Sequence, residues 1–296
     1  MLKKINVAIL GSGNVGTDLL IKIIRSPYLN CKKFIGRSLS SEGLKKARSL
    51  GIPVSDQGID AIVNDSKCCD LIFDATSAAD HKMNALIFKE LGIKAVDLTP
   101  SQVGMCCVPA INLKECLEFD NVNMITCGGQ ASIPIVHAIT SVQSDIEYVE
   151  VVSSISSKSA GPKTRDNIDE YIENTEKGLR KLTGCHHTKA ILILNPAVPY
   201  IDMQTSIYVK TNNPDMEAIY QSVTEMSKKM ALYVPGYKII LSPNYSNGRI
   251  VIMIKVKGVG DFLPQYAGNL DIINCAAVAF AEEYAKCTSI PTLELV

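Results

Sequence analysis

The sequence predicts an α/β fold: a doubly wound parallel sheet first, then a second α+β domain, and a C-terminal helix that returns to the first domain. Three observations carry this prediction. Apolar runs of strand length alternate with helical patterns up to residue 130, as in a parallel sheet covered by helices on both faces. A glycine-rich turn, Gly11-Ser12-Gly13-Asn14-Val15-Gly16, joins the first strand pattern to the first helix pattern. From residue 146 the alternation gives way to longer β-rich runs with fewer helices between them.

Taken in order, residues 5–10 (Ile-Asn-Val-Ala-Ile-Leu) read as a buried parallel strand, and an amphipathic helix follows the glycine turn to about Ser26. Further strands are expected at residues 31–36, 71–75, 95–98 and 123–127, with helices at 41–50 and 79–91. The second part opens with a long strand at 146–156, a polar turn at 158–163 and a charged helix over 164–181. Strands are then expected at 190–194, 205–210, 238–241 and 249–257, with a helix over 215–232. Residues 242–248 read as a hairpin connection in which Asn247-Gly248 is the turn. Residues 268–286 form an apolar final helix suited to packing on the first domain.

Composition excludes several classes of function. The 296 residues carry no net charge and no basic tract interleaved with aromatics, which argues against a nucleic-acid partner. No apolar run has the length of a membrane span, so no membrane association is expected. The N-terminus enters a strand pattern directly, without a signal-peptide core. Ten cysteines are scattered without any C-x-x-C spacing, so no metal is expected, and free thiols fit a reducing cytoplasm.

The chemistry-bearing motifs fall at strand ends. In the glycine turn, Gly11 permits the tight bend, Gly13 lets a pyrophosphate approach the backbone, and Gly16 permits close helix–strand packing. Ser12, Asn14 and Val15 complete the dinucleotide-binding loop. An acid at the end of the second strand would hold the ribose of NAD, but the sequence there reads Gly36-Arg37-Ser38. Arg37 can face an adenine ring or pair with a 2′-phosphate, and Ser38 can hydrogen-bond to that phosphate, so NADP is expected to be accepted. Thr76 and Ser77, after the strand ending at Asp74-Ala75, are placed for the nicotinamide half, as are Thr99 and Pro100 at the next strand end. Cys127 stands where an apolar run meets Gly128-Gly129 and a helix pattern over 131–142. Unpaired N–H groups at a helix start favour a thiolate and an oxyanion, and two glycines leave room for a substrate carbonyl. Of the four histidines (His81, His137, His186, His187) none carries a catalytic motif, and His137 lies roughly two to three turns along the helix from Cys127.

With these residues in view, the chain resembles the acylating acetaldehyde dehydrogenases of the aldolase-associated type over nearly its full length. The resemblance rests on the glycine loop through Leu19, Phe73-Asp74-Ala75-Thr76-Ser77-Ala78, Asp97-Leu98-Thr99-Pro100 and residues 121–134 around Cys127. It continues in Ser157-Lys158-Ser159-Ala160-Gly161-Pro162, Thr164-Arg165, Asn167-Ile168-Asp169-Glu170, Asn195-Pro196-Ala197 and Tyr266-Ala267-Gly268-Asn269-Leu270-Asp271-Ile272. It implies a Rossmann-type NAD(P)-binding domain of residues 1–130 plus about 268–296, and an α+β substrate and dimerisation domain of residues 131–267. It also implies Cys127 as nucleophile, a cofactor site that includes Ser159, Ala160, Gly161, Asn167 and Asn269, coenzyme A as co-substrate, a homodimer, and an aldolase as partner. Cys127 would add to an aldehyde, hydride transfer would leave a thioester, and CoA would take the acyl group.

Four departures from the family pattern bear on that reading. After Asn195-Pro196-Ala197 the family carries Met-Arg-Asp, whereas here Gln204-Thr205 stand at the Arg-Asp positions, so a carboxylate is missing and Asp202 is its first substitute. Ser38 replaces an aspartate, in line with the strand-end argument for NADP. Lys163 replaces a glycine and adds a positive charge, read first as a solvated lysine and alternatively as a contact for a phosphate or an anionic substrate. The region between Leu241 and Arg249 is shorter than usual, which weakens the case for an aldolase. The function expected is NAD(P)-dependent interconversion of a short aldehyde and its acyl-CoA. The alternatives are reduction of a different acyl thioester, on a larger CoA ester or a carrier protein, and a cofactor-binding scaffold with little turnover.

Overall fold

The computed structural model describes residues 4–289, apart from the side chains of Lys163 and Ser289. Its first half runs β1 (Ile5–Leu10), α1 (Asn14–Arg25), β2 (Leu29–Ile35), α2 (Glu42–Ser49), β3 (Val54–Ser55), α3 (Asp60–Val63), β4 (Leu71–Asp74), α4 (Ala78–Glu90), β5 (Lys94–Asp97), β6 (Met105–Cys106), α5 (Pro109–Cys116) and β7 (Asn121–Asn123). These strands form one parallel sheet in the order β3-β2-β1-β4-β5-β7-β6. The order reverses between β1 and β4, and a crevice opens beyond the carboxyl ends of strands at such a point. The glycine turn is therefore delivered to that crevice by the chain order alone.

The second half runs α6 (Cys127–Thr140), β8 (Ile146–Ser156), α7 (Pro162–Asp166), α8 (Ile168–Thr183), β9 (Thr188–Asn195), β10 (Met203–Thr211), α9 (Met216–Tyr233), β11 (Tyr237–Ser246), β12 (Arg249–Val256) and α10 (Gly268–Ser289). Its sheet has the order β11-β12-β10-β8-β9, antiparallel except between β8 and β9. Val149, Val151, Ile207, Val209, Ile250, Ile252 and Ile254 point to one face and share a core with Ile133, Val136, Leu179 and Val223 of the covering helices. The strict alternation of these β-branched residues along each strand is what commits that face to burial.

Helix α10 returns to the first sheet, as expected. Ile273, Ala276, Ala277, Phe280 and Ala281 recur at helical spacing and pack in one core with Val7, Ile9, Leu19, Leu20, Ile23 and Phe73. A buried charge cluster pins it to α1: Lys22 Nζ lies 2.6 Å from Asp271, 3.0 Å from Asp261 and 3.4 Å from Asp18. Asp18 also accepts from the Asn274 amide at 3.0 Å.

The structure corrects several boundaries. The strand expected to reach Cys127 ends at Asn123, and the following helix starts at Cys127 rather than Ala131. The strand β11 continues through residues 242–246, so the hairpin connection is only Asn247-Gly248, with φ of 52° and 72°. A connection of two residues with both φ positive matches the twist of paired strands, so pairing continues up to it. The charged helix is broken at Asn167, whose φ and ψ of −121° and 35° separate α7 from α8. The short elements β3, α3, β6 and α5 were not expected, since runs of two to eight residues leave little periodicity to read. Cys106 and Cys107 are both buried, Cys106 within β6.

Between β4, β5 and α4 lies an ionisable cluster with no exposure to solvent. His81 Nδ1 is 2.9 Å from Asp74 Oδ2, and Nε2 is 3.5 Å from Asp97 Oδ2 and 3.0 Å from the Asn121 amide. Burial alone would drive the proton off His81, but its hydrogen bond to the Asp74 carboxylate and the charge of Asp97 win and raise it above its ordinary value. Burial in turn pushes Asp97 up to about 6, against the pull of His81, Ser101 and Thr99. A histidine raised on folding contributes stability fully below its unfolded value near 6.5 and loses it as pH rises through the folded value. His81→Gln is therefore expected to cost about 3 kcal/mol at pH 6, because it leaves buried carboxylates without their cation. It should also remove the decline of thermal midpoint that the parent shows above pH 6.5, which a series of melts from pH 6 to 9 would read.

Candidate active site

The approach to Cys127 is built by a backbone turn that few residues adopt. Ile125 has φ of 62°, a left-handed conformation unfavourable for a β-branched residue. Two asparagine side chains hold it there. Asn123 Oδ1 accepts from the Ile125 N–H at 2.9 Å, and Asn174 Nδ2 donates to the Ile125 carbonyl at 2.9 Å and to Asn123 Oδ1 at 3.1 Å. Thr126 then caps α6, its hydroxyl accepting from the Gly129 N–H at 2.9 Å. Cys127 is thus the first residue of α6, with its side chain half-buried.

The expectation that Gly128 and Gly129 leave room for a substrate is overturned, because the protein fills that room itself. A Cβ on Gly128 would stand 2.2 Å from the Tyr171 hydroxyl and 2.9 Å from Ser153 Oγ. One on Gly129 would stand 2.9 Å from Ile125 Cγ2. Nor are these two N–H groups open to an oxyanion: Gly128 donates to the Tyr171 hydroxyl at 2.9 Å and Gly129 to Thr126. Burial pushes the Cys127 thiol above its ordinary value, while the Tyr171 hydroxyl and the N–H groups of Gly128 and Cys127 pull it back. The helix start therefore does not by itself make Cys127 a low-pKa thiol.

Cys127 opens onto a cavity of about 390 Å³ whose walls come from both halves of the chain. From the first half it receives Gly13, Asn14, Val15, Thr76, Ser77 and Thr99; from the second, Ser159, Gly161, Asn167, Tyr171 and Asn269. An adjoining cavity of about 510 Å³ is lined by Gly11, Ser12, Arg37, Asp56 and Asp80, and shares Gly13, Ala75 and Thr76 with the first. The glycine turn behaves as its spacing predicts. Gly11 has φ of 122°, a Cβ on Gly16 would lie 1.9 Å from the Gly11 carbonyl oxygen, and a Cβ on Gly13 would meet nothing within 4 Å. Gly13 caps α1 without any side-chain hydrogen bond, which leaves N–H groups of the helix start facing the cavity. Asn269 Oδ1 and Thr99 Oγ1 are buried, without a hydrogen-bond partner among the described residues, in side chains that line the cavity. Polar atoms in that state are suited to a polar ligand.

Some expected site residues lie elsewhere. Gly16 acts through packing and does not line the cavity. Ala160 is buried and its carbonyl accepts from Arg165 Nε at 3.1 Å. Ser38 lies outside the lining of the second cavity and its hydroxyl pairs with Ser40 at 2.7 Å. Asp202, the expected substitute base, is also absent from the wall around Cys127; it faces Lys255, 3.9 Å away, on the side of the sheet opposite Thr205. Lys255 pairs with Gln204 on β10, whose side chain projects to the face opposite that of its neighbour Thr205, and Asp202 just before the strand lies on the Lys255 side. The side chain of Lys163 lies outside the described residues.

The residue that the sequence reading missed is Tyr171. Asn167, Tyr171, Asn174 and Thr175 recur at spacings of four, three and one, a polar stripe on one face of α8 that turns toward the Cys127 loop. That stripe was the available signal.

Comparison with known proteins agrees with this geometry. The family model described as "Prokaryotic acetaldehyde dehydrogenase, dimerisation" matches residues 127–264. An acetaldehyde dehydrogenase of Spirochaeta aurantia is 57% identical over 284 residues, covering 96% of this chain and 96% of that one. That of Pectobacterium atrosepticum is 55% identical, covering 95% of each, and that of Carboxydothermus hydrogenoformans 48% identical, covering 97% of this chain and 95% of the relative. Among solved structures, aspartate semialdehyde dehydrogenase with NADP from Candida albicans superposes with a TM-score of 0.66 at 12% identity, over 95% of this chain and 100% of that one. The Vibrio cholerae aspartate semialdehyde dehydrogenase II gives 0.65 at 15% identity, over 95% and 98%. These two structures share the Rossmann-type fold, and full-length identity near one half places the sequence itself: this chain belongs to the acetaldehyde dehydrogenase family.

Proposed function

We propose that the chain is an acylating aldehyde dehydrogenase, which interconverts acetaldehyde or another short aldehyde and its acyl-CoA with NADP or NAD. The observation that carries this reading is that one cavity joins the Cys127 thiol to the uncapped start of α1. A nicotinamide dinucleotide fits the residues present: Gly13 leaves its approach open, the α1 N–H groups suit a pyrophosphate, and Asn269 Oδ1 and Thr99 Oγ1 lack partners. When bound, that cofactor supplies the hydride acceptor or donor. Gly13, Asn14, Thr76, Ser77, Ser159, Gly161, Asn167 and Asn269 would hold it, and Gly11, Ser12 and Arg37 would hold its adenosine end. Cys127 adds to the aldehyde carbonyl and retains the acyl group as a thioester until the CoA thiol removes it. Leu98, Pro100, Ile125, Leu270 and Ile273 give the cavity apolar walls that limit access of water to that thioester.

The two units read from the sequence, 1–130 with about 268–296 and 131–267, correspond in this proposal to cofactor binding and to substrate binding with dimerisation. A homodimer has support in the matched family model and in the uncovered face of the second sheet. There Val152, Ile191, Met253 and Leu241 fall in one cross-strand row with Ser206, half-buried or exposed. An aldolase partner rests on the resemblance alone and would meet an edge shortened to the Asn247-Gly248 turn.

Two experiments test the reading. Oxidation of NADPH or NADH by acetyl-CoA and longer acyl-CoAs is expected with the parent protein and is expected to vanish in Cys127→Ala, which should still bind the reduced cofactor. Tight cofactor binding with no turnover of any thioester would favour the scaffold reading instead. For the cofactor, NADPH is expected to be used at least as well as NADH. Arg37→Ala should lower kcat/KM for NADPH by about tenfold, the worth of one charge-assisted contact, and leave NADH little changed.

A further inference from the structure

No charged group that could take the thiol proton stands among the described residues lining the cavity around Cys127. Among its described lining residues there is no Asp, Glu, His, Lys or Arg, and its titratable side chains are Cys127 and Tyr171. What approaches the sulfur instead is a row of hydroxyls. The Tyr171 hydroxyl lies 3.5 Å from Cys127 Sγ and accepts from the Gly128 N–H at 2.9 Å. Ser153 hydrogen-bonds to the same tyrosine oxygen and is 3.0 Å from Thr205 Oγ1. Thr205 and Ser153 are buried side by side on β10 and β8, which are paired at this register. The tyrosine is buried as well, and Gly128 lacks a side chain at the one point where a Cβ would displace that hydroxyl.

We propose that Tyr171, backed by Ser153 and Thr205, is the hydrogen-bond donor on which the Cys127 thiolate depends, and is a catalytic residue of the acyl-transfer site. The inference rests on the reading of Cys127 as nucleophile. With Gly128 N–H and Ser153 both donating to the tyrosine oxygen, the phenolic proton is left to point at the sulfur, and donors aligned in one direction strengthen each other. Burial and the neighbouring sulfur push Tyr171 well above its ordinary value, so it keeps that proton and acts as donor only. The cycle then needs no carboxylate at the carbon. The thiol loses its proton to solvent before the aldehyde enters. The sulfur lone pair forms the C–S bond while the carbonyl π pair moves to oxygen. Return of that pair releases a hydride, which a bound nicotinamide cofactor would accept, and leaves the thioester on Cys127, with no proton moved in either step. As charge passes from sulfur to oxygen, the Tyr171 hydroxyl is the donor positioned to follow it. Thr205, where the family resemblance led to the expectation of an aspartate, closes the row from behind.

Alkylation of Cys127 by iodoacetamide in the full-length protein without cofactor, followed against pH by mass spectrometry of its peptide, reads the thiolate directly. Tyr171→Phe is expected to move the alkylation midpoint up by about one pH unit, and to slow alkylation at pH 7.5 about tenfold. Thr205→Val, which keeps the shape of the side chain, should move it the same way by less. In turnover, Tyr171→Phe should lower kcat about tenfold at pH 7.5 with KM for the acyl-CoA within about threefold, and recover toward the parent at pH 9.5. A merely structural tyrosine would leave the midpoint in place, and superimposable alkylation profiles for parent, Tyr171→Phe and Thr205→Val would overturn the proposal. Turnover surviving in Cys127→Ala would overturn the reading of the nucleophile, and alkylation would still report separately on Tyr171.

Discussion

The left-handed turn at Ile125 decides where every reactive atom of this protein sits. A β-branched residue in that conformation costs about 1–3 kcal/mol, and such a cost persists only where surroundings over-determine the backbone. Here the surroundings are two buried amides, Asn123 from β7 and Asn174 from α8, which grip the N–H and the carbonyl of the one residue. The turn converts a strand direction into a helix direction within three residues, so that α6 begins on the sulfur-bearing residue. Helix α8 contributes to this three times over: Asn174 holds Ile125, Thr175 meets Thr126 at 2.7 Å, and Tyr171 meets Cys127. One face of one helix from the second half thus sets the geometry of the loop that leaves the first.

Charge is distributed with a matching logic. The molecule buries several ionised groups, but keeps them behind the site. Asp97, hydrogen-bonded to Asn123 at 2.6 Å and to the Thr99 N–H at 2.7 Å, anchors two strand ends from below. Lys22 and its three carboxylates anchor α10 from the far side of α1. Both clusters are fully or nearly buried, where removing one partner costs far more than the pair contributes. The polar groups that the described residues turn into the cavity's apolar walls are amides and hydroxyls, with the Cys127 thiol. Fixed dipoles of that kind can favour a transient anion without competing for its proton, as a nearby carboxylate would.

How much of this could be read from the amino-acid order differs residue by residue. The glycine turn was legible because its constraint is local: Gly11 needs a positive φ and Gly16 touches Gly11, five positions away. The return of α10 was legible because its alanines and isoleucines recur at helical spacing with nowhere else to be buried. Cys127 was legible as a helix-start thiol facing the cavity, but its glycines were misread. The space beside Gly128 belongs to a tyrosine 43 positions further on, and no local rule reports a tertiary neighbour. Asp202 is near Thr205 in sequence, but it precedes β10 and faces Lys255 rather than the Cys127 cavity. The turn at Ile125 broke the rule that isoleucine avoids the left-handed region, and such violations are found where function has displaced local preference.

The return of α10 has a bearing on how the chain comes to be. Asn269 lines the cavity begun by Gly13, and Phe280 fills the same core as Val7. During synthesis the first sheet, complete at Asn123, therefore waits with an apolar flank uncovered until α10 begins at Gly268. Closing so large a loop comes late in folding, because its entropic cost precedes any contact that offsets it. A nascent or truncated chain lacking the last helix holds the glycine turn and the cysteine, but not an enclosed site. The proposed dinucleotide site is in that sense closed only when α10 has docked.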